Sequence, residues 1–250
     1  MTSILNLDNV SVHNAFESRL QNINLTIHRG EQIALLGESG SGKSTLIQVC
    51  NGSILPSSGK IKWRGAELKN STQRQRTRIA TIWQDLHLVE ELNVLQNINI
   101  GALGRHSLLW AFRNLIGTIE KETCLICLEA TGLDKKLLTK SVQKLSGGQR
   151  QRVAIARLLR QQAELLLADE PLSSLDPNLA SKILNLLLSK NEMYSIYIPK
   201  TCLISLHKED LIANFSRVIG LKKGEIVIDS STTILTKSEI NSLYMNTCRG

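Results

Sequence analysis

Residues 37–44, with the sequence GESGSGKS, constrain the fold more than any other segment, because they match the phosphate-binding loop pattern at every fixed position. They follow the apolar run 33–36 and precede a run of helical character over 43–49. Glycines in such a loop let successive backbone N–H groups point at phosphate oxygens, helped by the dipole of the following helix. The segment therefore predicts a strand, a loop and a helix that together bind a nucleoside triphosphate.

Each polar side chain of the loop has an expected contact with the nucleotide. Lys43 is expected to neutralise the β and γ phosphates, Ser44 to ligate magnesium, and Thr45 to contact the α phosphate. The remaining loop positions expected to line the nucleotide are Gly37, Glu38, Ser39, Gly40, Ser41 and Gly42.

Two adjacent acids follow a second apolar run, LLLA at 165–168. A run without polar residues predicts a strand buried on both faces of a parallel sheet, and ligands bind at the carboxyl ends of such strands. Asp169 is the candidate partner of Mg²⁺, through water. Glu170 is the candidate to polarise the water that attacks the γ phosphate.

The segment LSGGQ at 145–149 precedes a helix predicted to continue through Arg160. Ser146 is expected to cap this helix, and the bare backbone at Gly147 and Gly148, with Gln149 beside it, forms a second candidate phosphate site. With this segment the chain resembles ATP-binding-cassette (ABC) ATPases, and the resemblance extends over almost the whole sequence.

The resemblance implies further sites. The LSGGQ segment is expected to face the γ phosphate held by a second copy, so that two ATP molecules lie within a head-to-tail dimer. Gln84 matches the glutamine loop, which contacts magnesium and the membrane partner; Asp176, in the segment 174–176, matches the loop that crosses the dimer; His207 matches the switch histidine.

One position departs from the ABC pattern. Where an aromatic residue usually stacks on adenine, near the end of the first strand, this chain has Val12, His13 and Asn14. The candidates for stacking on the base are His13, Asn14 and Phe16, and a weaker stack predicts a modest affinity for ATP.

The predicted fold class is an α/β P-loop NTPase cassette with a mixed or parallel sheet core, an N-terminal antiparallel β subdomain and an inserted α-helical subdomain. The expected organisation is a single ABC ATP-binding domain over 1–250, with a nucleotide-binding core at 1–89 and 144–230. The helical subdomain is expected at 90–143, and a short tail at 231–250.

Several strands and turns are predicted from local pattern. The strands are expected at 5–12, 23–27 and 201–205, and two hairpins are expected, one around 57–60 and a closing one that joins 218–221 to 225–228 through the turn 222–224.

Composition limits the other classes of function. The 250 residues carry a net charge of +8, but the densest basic run, 74–78, has no interleaved aromatic residues, so a solvated face is favoured and no nucleic-acid partner is expected. No apolar run approaches the roughly 20 residues of a membrane span, and no secretory signal is visible. Five scattered cysteines favour reduced thiols, and Cys124 and Cys127 are expected to pack in a helix rather than form a redox or metal pair.

The expected partners are integral membrane permease subunits and an extracytoplasmic substrate-binding protein, with the chain held peripherally at the cytoplasmic face of the plasma membrane. The stretch 97–110 resembles the phosphonate importer ATPases; alternatively, Leu108, Leu109, Trp110 and Phe112 only pack the helical subdomain. Phosphonates, phosphite or phosphate esters are the expected cargo. Export, including lipoprotein release, and import of amino acids or metal ions are the alternatives.

Overall fold

Ten strands and eight α-helices are found in the computed structural model, which describes residues 2–13, 18–190, 192–206 and 209–244. The strands are β1 Ser3–His13, β2 Ser18–His28, β3 Gln32–Leu36, β4 Ser58–Trp63, β5 Ala66–Glu67, β6 Ile79–Ile82, β7 Leu165–Ala168, β8 Thr201–Ser205, β9 Arg217–Lys222 and β10 Glu225–Ser231. The helices are α1 Lys43–Cys50, α2 Gln73–Arg76, α3 Val94–Ile100, α4 Leu108–Ile116, α5 Lys121–Ala130, α6 Gly147–Gln161, α7 Pro177–Leu187 and α8 Lys237–Tyr244.

The chain divides into two compact units. The first comprises residues 1–71, 167–169 and 201–250, and the second comprises 72–166 and 170–200. Strand β7 begins in the second unit and ends in the first, so Asp169 belongs to the first unit while Glu170 belongs to the second.

The first unit contains a four-stranded antiparallel sheet in the order β2-β1-β4-β5, which confirms the predicted N-terminal antiparallel subdomain. Strand β1 lies between β2 and β4, and Leu5 pairs with both Ile27 and Trp63. All three of these side chains are buried. The burial of apolar residues on this face holds the sheet against the rest of the unit.

A second sheet carries the parallel strands that the phosphate-binding motif predicts. Within the first unit its order is β10-β9-β3-β8, followed by the end of β7, and β3 pairs in parallel with both β8 and β9. In the second unit β6 is the neighbour of β7. Every residue of β7 and β8 is buried, which confirms the strand predicted at 165–168 and the one at 201–205. Strands β9 and β10 form the predicted closing hairpin.

The hairpin predicted around 57–60 is wrong. Residues 58–60 lie inside β4, where Ser58 pairs with Ser11 of β1. Gly59, at a φ of +86°, allows close approach rather than a turn, because a Cβ there would overlap the backbone of Asn9. The turn comes later, at Arg64 and Gly65, whose φ values of +51° and +84° are typical of a tight two-residue hairpin.

Helices dominate the second unit, and α3, α4 and α5 lie within 90–143, where the sequence has helical spacing. Helix α6 packs against α3 and α5. Helix α3 starts with a capping box in which Asn93 and Gln96 exchange hydrogen bonds. These reciprocal bonds satisfy backbone donors that the first turn would otherwise leave without partners.

Helix α4 has its polarity reversed relative to an ordinary surface helix. Its outer side exposes five large apolar side chains, those of Leu108, Leu109, Phe112, Leu115 and Ile116; Leu108 is 90% exposed. Its inner side is anchored by Asn114, 2% exposed, whose Oδ1 accepts a hydrogen bond from Asn99 Nδ2 at 3.0 Å. Gln96 Nε2 also donates to the carbonyl oxygen of Asn114, at 3.1 Å. The packing role considered for Leu108, Leu109 and Phe112 is therefore wrong, whereas Trp110 is half-buried and its Nε1 donates to Glu120 Oε1 at 2.7 Å.

The cysteines of the described residues are free and buried: Cys50, Cys124, Cys127 and Cys202. The Sγ of Cys124 donates to Asn99 Oδ1 at 3.1 Å within the helices of the second unit. Across the described ranges, no group of three or more His, Cys, Asp or Glu side chains could hold a metal ion. Nor does any helix there have the length and apolar character that crossing a bilayer requires.

Burial predicts that these four thiols resist alkylation. It raises the pKa of Cys50, Cys124 and Cys202 to about 12 and that of Cys127 to about 11. Since the thiolate is the reactive form, hardly any is present at pH 8. Iodoacetamide added to the native protein, followed by peptide mass spectrometry, should modify these positions slowly, and the same reaction in urea should modify them fully. Rapid native labelling of Cys124 or Cys127 would instead indicate a reactive pair.

Candidate nucleotide-binding site

The phosphate loop follows β3 directly and ends at the start of α1. Gly42, at a φ of +109°, is the residue before the helix, and its carbonyl accepts from Leu46 N at 2.8 Å. The first N–H groups of a helix have no acceptor within the helix, so those at the start of α1 can bind an anion. Gly37, Gly40 and Gly42 all have positive φ, as the predicted glycine-rich loop requires.

Lys43, the first residue of α1, is buried against the phosphate loop. Its side chain is 5% exposed, and its Nζ donates to the carbonyl oxygens of Gly37 and Glu38 at 2.8 and 2.9 Å. The ammonium group is therefore held within the loop, at the place where phosphate charge is expected. Thr45 is buried and Ser44 is exposed.

Asp169 stands at the carboxyl end of β7, 4% exposed. Ser205 Oγ, at the carboxyl end of the neighbouring strand β8, donates to Asp169 Oδ1 at 2.9 Å. Because β3 is parallel to β8, the phosphate loop and Asp169 both follow the carboxyl ends of strands in one sheet. This is the edge at which ligands bind in open α/β sheets.

The residues of this edge fit a magnesium nucleotide in two respects. Ser41 Oγ is buried in the loop and has no hydrogen-bond partner among the described residues, which leaves a polar group free for a ligand. The carboxylate of Asp169 and the hydroxyl of Ser44 are hard oxygen donors, the kind that Mg²⁺ prefers. Mg²⁺ usually keeps several waters and phosphate ligands, so a complete cage of side chains is not required.

In the second unit, the LSGGQ segment forms the start of α6. Ser146 is the N-cap: its Oγ accepts from Gln149 N at 3.3 Å, and Gln149 Oε1 accepts from Ser146 N at 3.0 Å. This capping box confirms the predicted cap. Gly147 has open space where a Cβ would stand, while one on Gly148 would lie 3.3 Å from the carbonyl oxygen of Ser174.

Gln151 links α6 to the segment after Glu170, and sequence reasoning missed it. It is buried; its Nε2 donates to the carbonyl of Pro171 at 2.5 Å and its Oε1 accepts from Ser174 N at 3.2 Å. The segment ends at Asp176, the N-cap of α7, whose Oδ1 accepts from Leu179 N at 3.0 Å. The LSGGQ segment and the residues before α7 are thus fixed to the same helix.

Gln84 is exposed, two residues beyond β6. The loop that follows it is tied to α6 by Arg157, whose guanidinium donates to the carbonyls of Leu86 and His87 at 2.5 and 2.7 Å. Burial lowers the pKa of Arg157. Arg157 is a second residue that sequence reasoning missed, since nothing in the pattern of α6 identifies its partners.

Glu170 has a left-handed backbone, with a φ of +51°, and its side chain is half-buried. Such a conformation is uncommon for a residue with a Cβ and is concentrated at functional sites. Of the candidates for stacking on adenine, His13 is exposed at the end of β1, whereas Asn14 and Phe16 lie outside the described residues. His207 also lies outside them.

The fold and these motifs define a phosphate-loop ATPase cassette. The sequence profile described as ABC transporter matches residues 20–173, and the chain belongs to that family. It is 36% identical to the phosphonates import ATP-binding protein PhnC 1 of Nostoc sp. over 97% of this chain and 92% of that protein. It is 34% identical to PhnC of Fusobacterium nucleatum, over 98% of this chain and 99% of the relative.

Solved structures give the same fold. A dimeric ATP-binding cassette in a post-hydrolysis state, bound to ADP and Pi, is 28% identical, with a TM-score of 0.78 over 91% of this chain and 98% of that one. A nucleotide-free ATP-binding cassette from an ABC transporter is 25% identical, with a TM-score of 0.78 over 98% of this chain and 99% of that one. The predicted fold class is confirmed.

The loop geometry predicts that Gly37→Ala weakens nucleotide binding more than Gly40→Ala. A Cβ at Gly37 would overlap the carbonyl oxygen of Leu221 and Ser41 Oγ, whereas one at Gly40 meets nothing within 4 Å. Both positions have positive φ, so only Gly37→Ala adds a collision to the backbone cost. A strain of about 1–3 kcal/mol corresponds to roughly 5- to 150-fold weaker binding of ADP by calorimetry. Equal losses in the two variants would contradict this account.

Proposed function

We propose that this chain is the ATP-binding and ATP-hydrolysing subunit of an ABC importer for phosphonates or related phosphorus compounds, such as phosphite or phosphate esters. The observation that carries the proposal is the likeness to phosphonates import ATP-binding proteins along nearly the whole chain. Export and lipoprotein release, and import of amino acids or metal ions, are not favoured, because the similar proteins reported above are phosphonate importers by name.

ATP is held in this proposal by residues 37–45, with Lys43 against the β and γ phosphates and Thr45 near the α phosphate. Ser44, Gln84 and Asp169 would hold Mg²⁺, Asp169 through a water molecule. The ion supplies charge neutralisation at the phosphates. Glu170 orients and polarises the attacking water, a role in which a carboxylate accepts the water's proton as the new bond forms. His207 is the switch histidine in this proposal.

Two copies of the chain work together in this proposal. Ser146, Gly147, Gly148 and Gln149 of one copy face the γ phosphate held by the other, with Asp176 at the crossing between them. The exposed N-terminus of α6 supports this role, because it presents backbone N–H groups and the positive end of the helix dipole. ATP binding then closes the pair, and hydrolysis allows it to open.

The remaining partners are permease subunits in the membrane and an extracytoplasmic substrate-binding protein, with this chain at the cytoplasmic face of the plasma membrane. The apolar outer face of α4 supports attachment to another component, because contiguous exposed apolar surface marks interaction sites. Cargo is selected by those partners, and this chain supplies the motor.

Glu170→Gln should stop turnover and keep nucleotide binding. The amide has the shape of the carboxylate but cannot accept the proton of the attacking water, and such a base contributes about 10²–10⁴-fold to the rate. The ATPase rate should therefore fall by at least about a hundredfold, while ATP affinity is retained and size-exclusion chromatography detects an ATP-dependent dimer. Glu129→Gln, the same change at an exposed position of α5, is the matched control. Near-normal hydrolysis by Glu170→Gln would refute the role of Glu170.

Transport in cells tests the cargo. Cells whose only copy of this chain is Glu170→Gln should lose uptake of labelled methylphosphonate and 2-aminoethylphosphonate, while uptake of phosphate and of an amino acid matches that of wild-type cells. Loss of amino-acid uptake alone would reassign the importer. Unchanged uptake of every compound would shift the assignment to export or lipoprotein release.

A further inference from the structure

Ser205 lies outside the expected motifs, yet its side chain is in direct contact with the candidate site residue Asp169. It is the last residue of β8, fully buried, and its Oγ lies 2.9 Å from Asp169 Oδ1. Asp169 is itself 4% exposed, at the end of the neighbouring strand. Both partners are therefore fixed by a sheet and shielded from bulk water.

The chemistry of the pair determines which group donates. An ionised carboxylate has no proton and can only accept hydrogen bonds, whereas a serine hydroxyl has one proton to donate. The Ser205 hydroxyl therefore donates a hydrogen bond to Oδ1, and a charge-assisted bond of this kind is stronger than one between neutral groups. Because the donor is attached to a strand, the bond fixes the rotation of the carboxylate and the direction of Oδ2.

We propose that Ser205 is a positioning residue for Mg²⁺: it orients the carboxylate of Asp169 so that the water held by Asp169 reaches the ion. The inference rests on the proposed function, because it assumes that Asp169 serves the ion of a bound nucleotide. Partners of metal ligands orient those ligands, and their loss usually reduces metal affinity or activity by about 10–100-fold. Ser205 thus acts through Asp169 and makes no contact with the nucleotide in this proposal.

A purely structural role for Ser205 is the competing explanation. A buried carboxylate without partners is costly, so the same hydrogen bond also satisfies the charge of Asp169. The two roles differ in one observable. A structural role changes the stability of the fold, whereas a positioning role changes how strongly nucleotide binding and hydrolysis depend on the concentration of Mg²⁺.

The test uses the full chain and Ser205→Ala. Binding of ADP is measured by calorimetry in EDTA and over a series of Mg²⁺ concentrations, and binding of Mn²⁺ in the presence of ADP is measured by electron paramagnetic resonance. Affinity in EDTA should stay within about twofold of wild type, while the Mg²⁺ concentration needed for half-maximal tight binding should rise about tenfold or more. The Mg²⁺ concentration that gives half of the maximal ATPase rate should rise by a similar factor.

Two further variants keep the test decisive. Ser205→Thr retains the hydroxyl and should bring the Mg²⁺ dependence back toward that of wild type. Cys202→Ala removes a buried side-chain atom from the same strand and should leave the Mg²⁺ dependence unchanged. Unfolding of each variant is followed by circular dichroism, and if Ser205→Ala does not fold, Ser205→Cys takes its place as the variant of similar size and weak donor capacity.

The outcomes separate the two proposals. An unchanged Mg²⁺ dependence in Ser205→Ala, with or without a loss of stability, overturns the positioning role and leaves the nucleotide site intact. A wild-type chain that binds no ADP in the presence of Mg²⁺ overturns the proposed function itself. The inference is supported if Ser205→Ala needs a higher Mg²⁺ concentration than wild type and Ser205→Thr needs about the same concentration as wild type.

Discussion

The burial of β7 and β8 on both faces is the constraint on which the candidate site depends. Strands in which every residue is buried cannot slip in register without exposing apolar side chains or burying charge. Asp169 is the first charged residue after β7, and Ser205 is the polar residue that ends β8. The burial that stabilises the sheet therefore also fixes Asp169 and Ser205 within hydrogen-bonding distance of each other. Lys43, in the loop after β3, is likewise fixed in position, because it is buried and its Nζ donates to two carbonyl oxygens of that loop.

Helix α6 has the corresponding role in the second unit. Its first turn carries the LSGGQ cap, Gln151 binds the segment after Glu170, and Arg157 binds the loop after Gln84. Three motifs that are far apart in sequence are thus attached to successive turns of one helix. Displacing α6 along its axis would carry all three with it, so these motifs are mechanically coupled before any partner is considered.

The parts of the fold that could be predicted from sequence are those governed by local pattern. The phosphate loop, β7, β8, the closing hairpin and the cap at Ser146 follow from apolar runs, glycines and a capping residue that lie next to one another. The hairpin at 57–60 was placed wrongly because a glycine at a close approach between strands has the same local signal as one in a turn. Gln151, Arg157 and Ser205 could not be found this way, since their partners lie 20 or more residues away. For the outer face of α4, periodicity detects an apolar stripe but not whether it faces inward.

That reversal on α4 changes which substitutions the fold can tolerate. In most surface helices the apolar positions are fixed by packing and the polar ones vary. In α4 the hydrogen-bonded contact with α3 is made by amides, those of Gln96, Asn99 and Asn114. A library of α4 variants selected only for folding should therefore keep asparagine at 114 and accept serine or lysine in place of the outer leucines. A prediction based on hydrophobicity alone would instead keep the outer leucines and allow position 114 to vary.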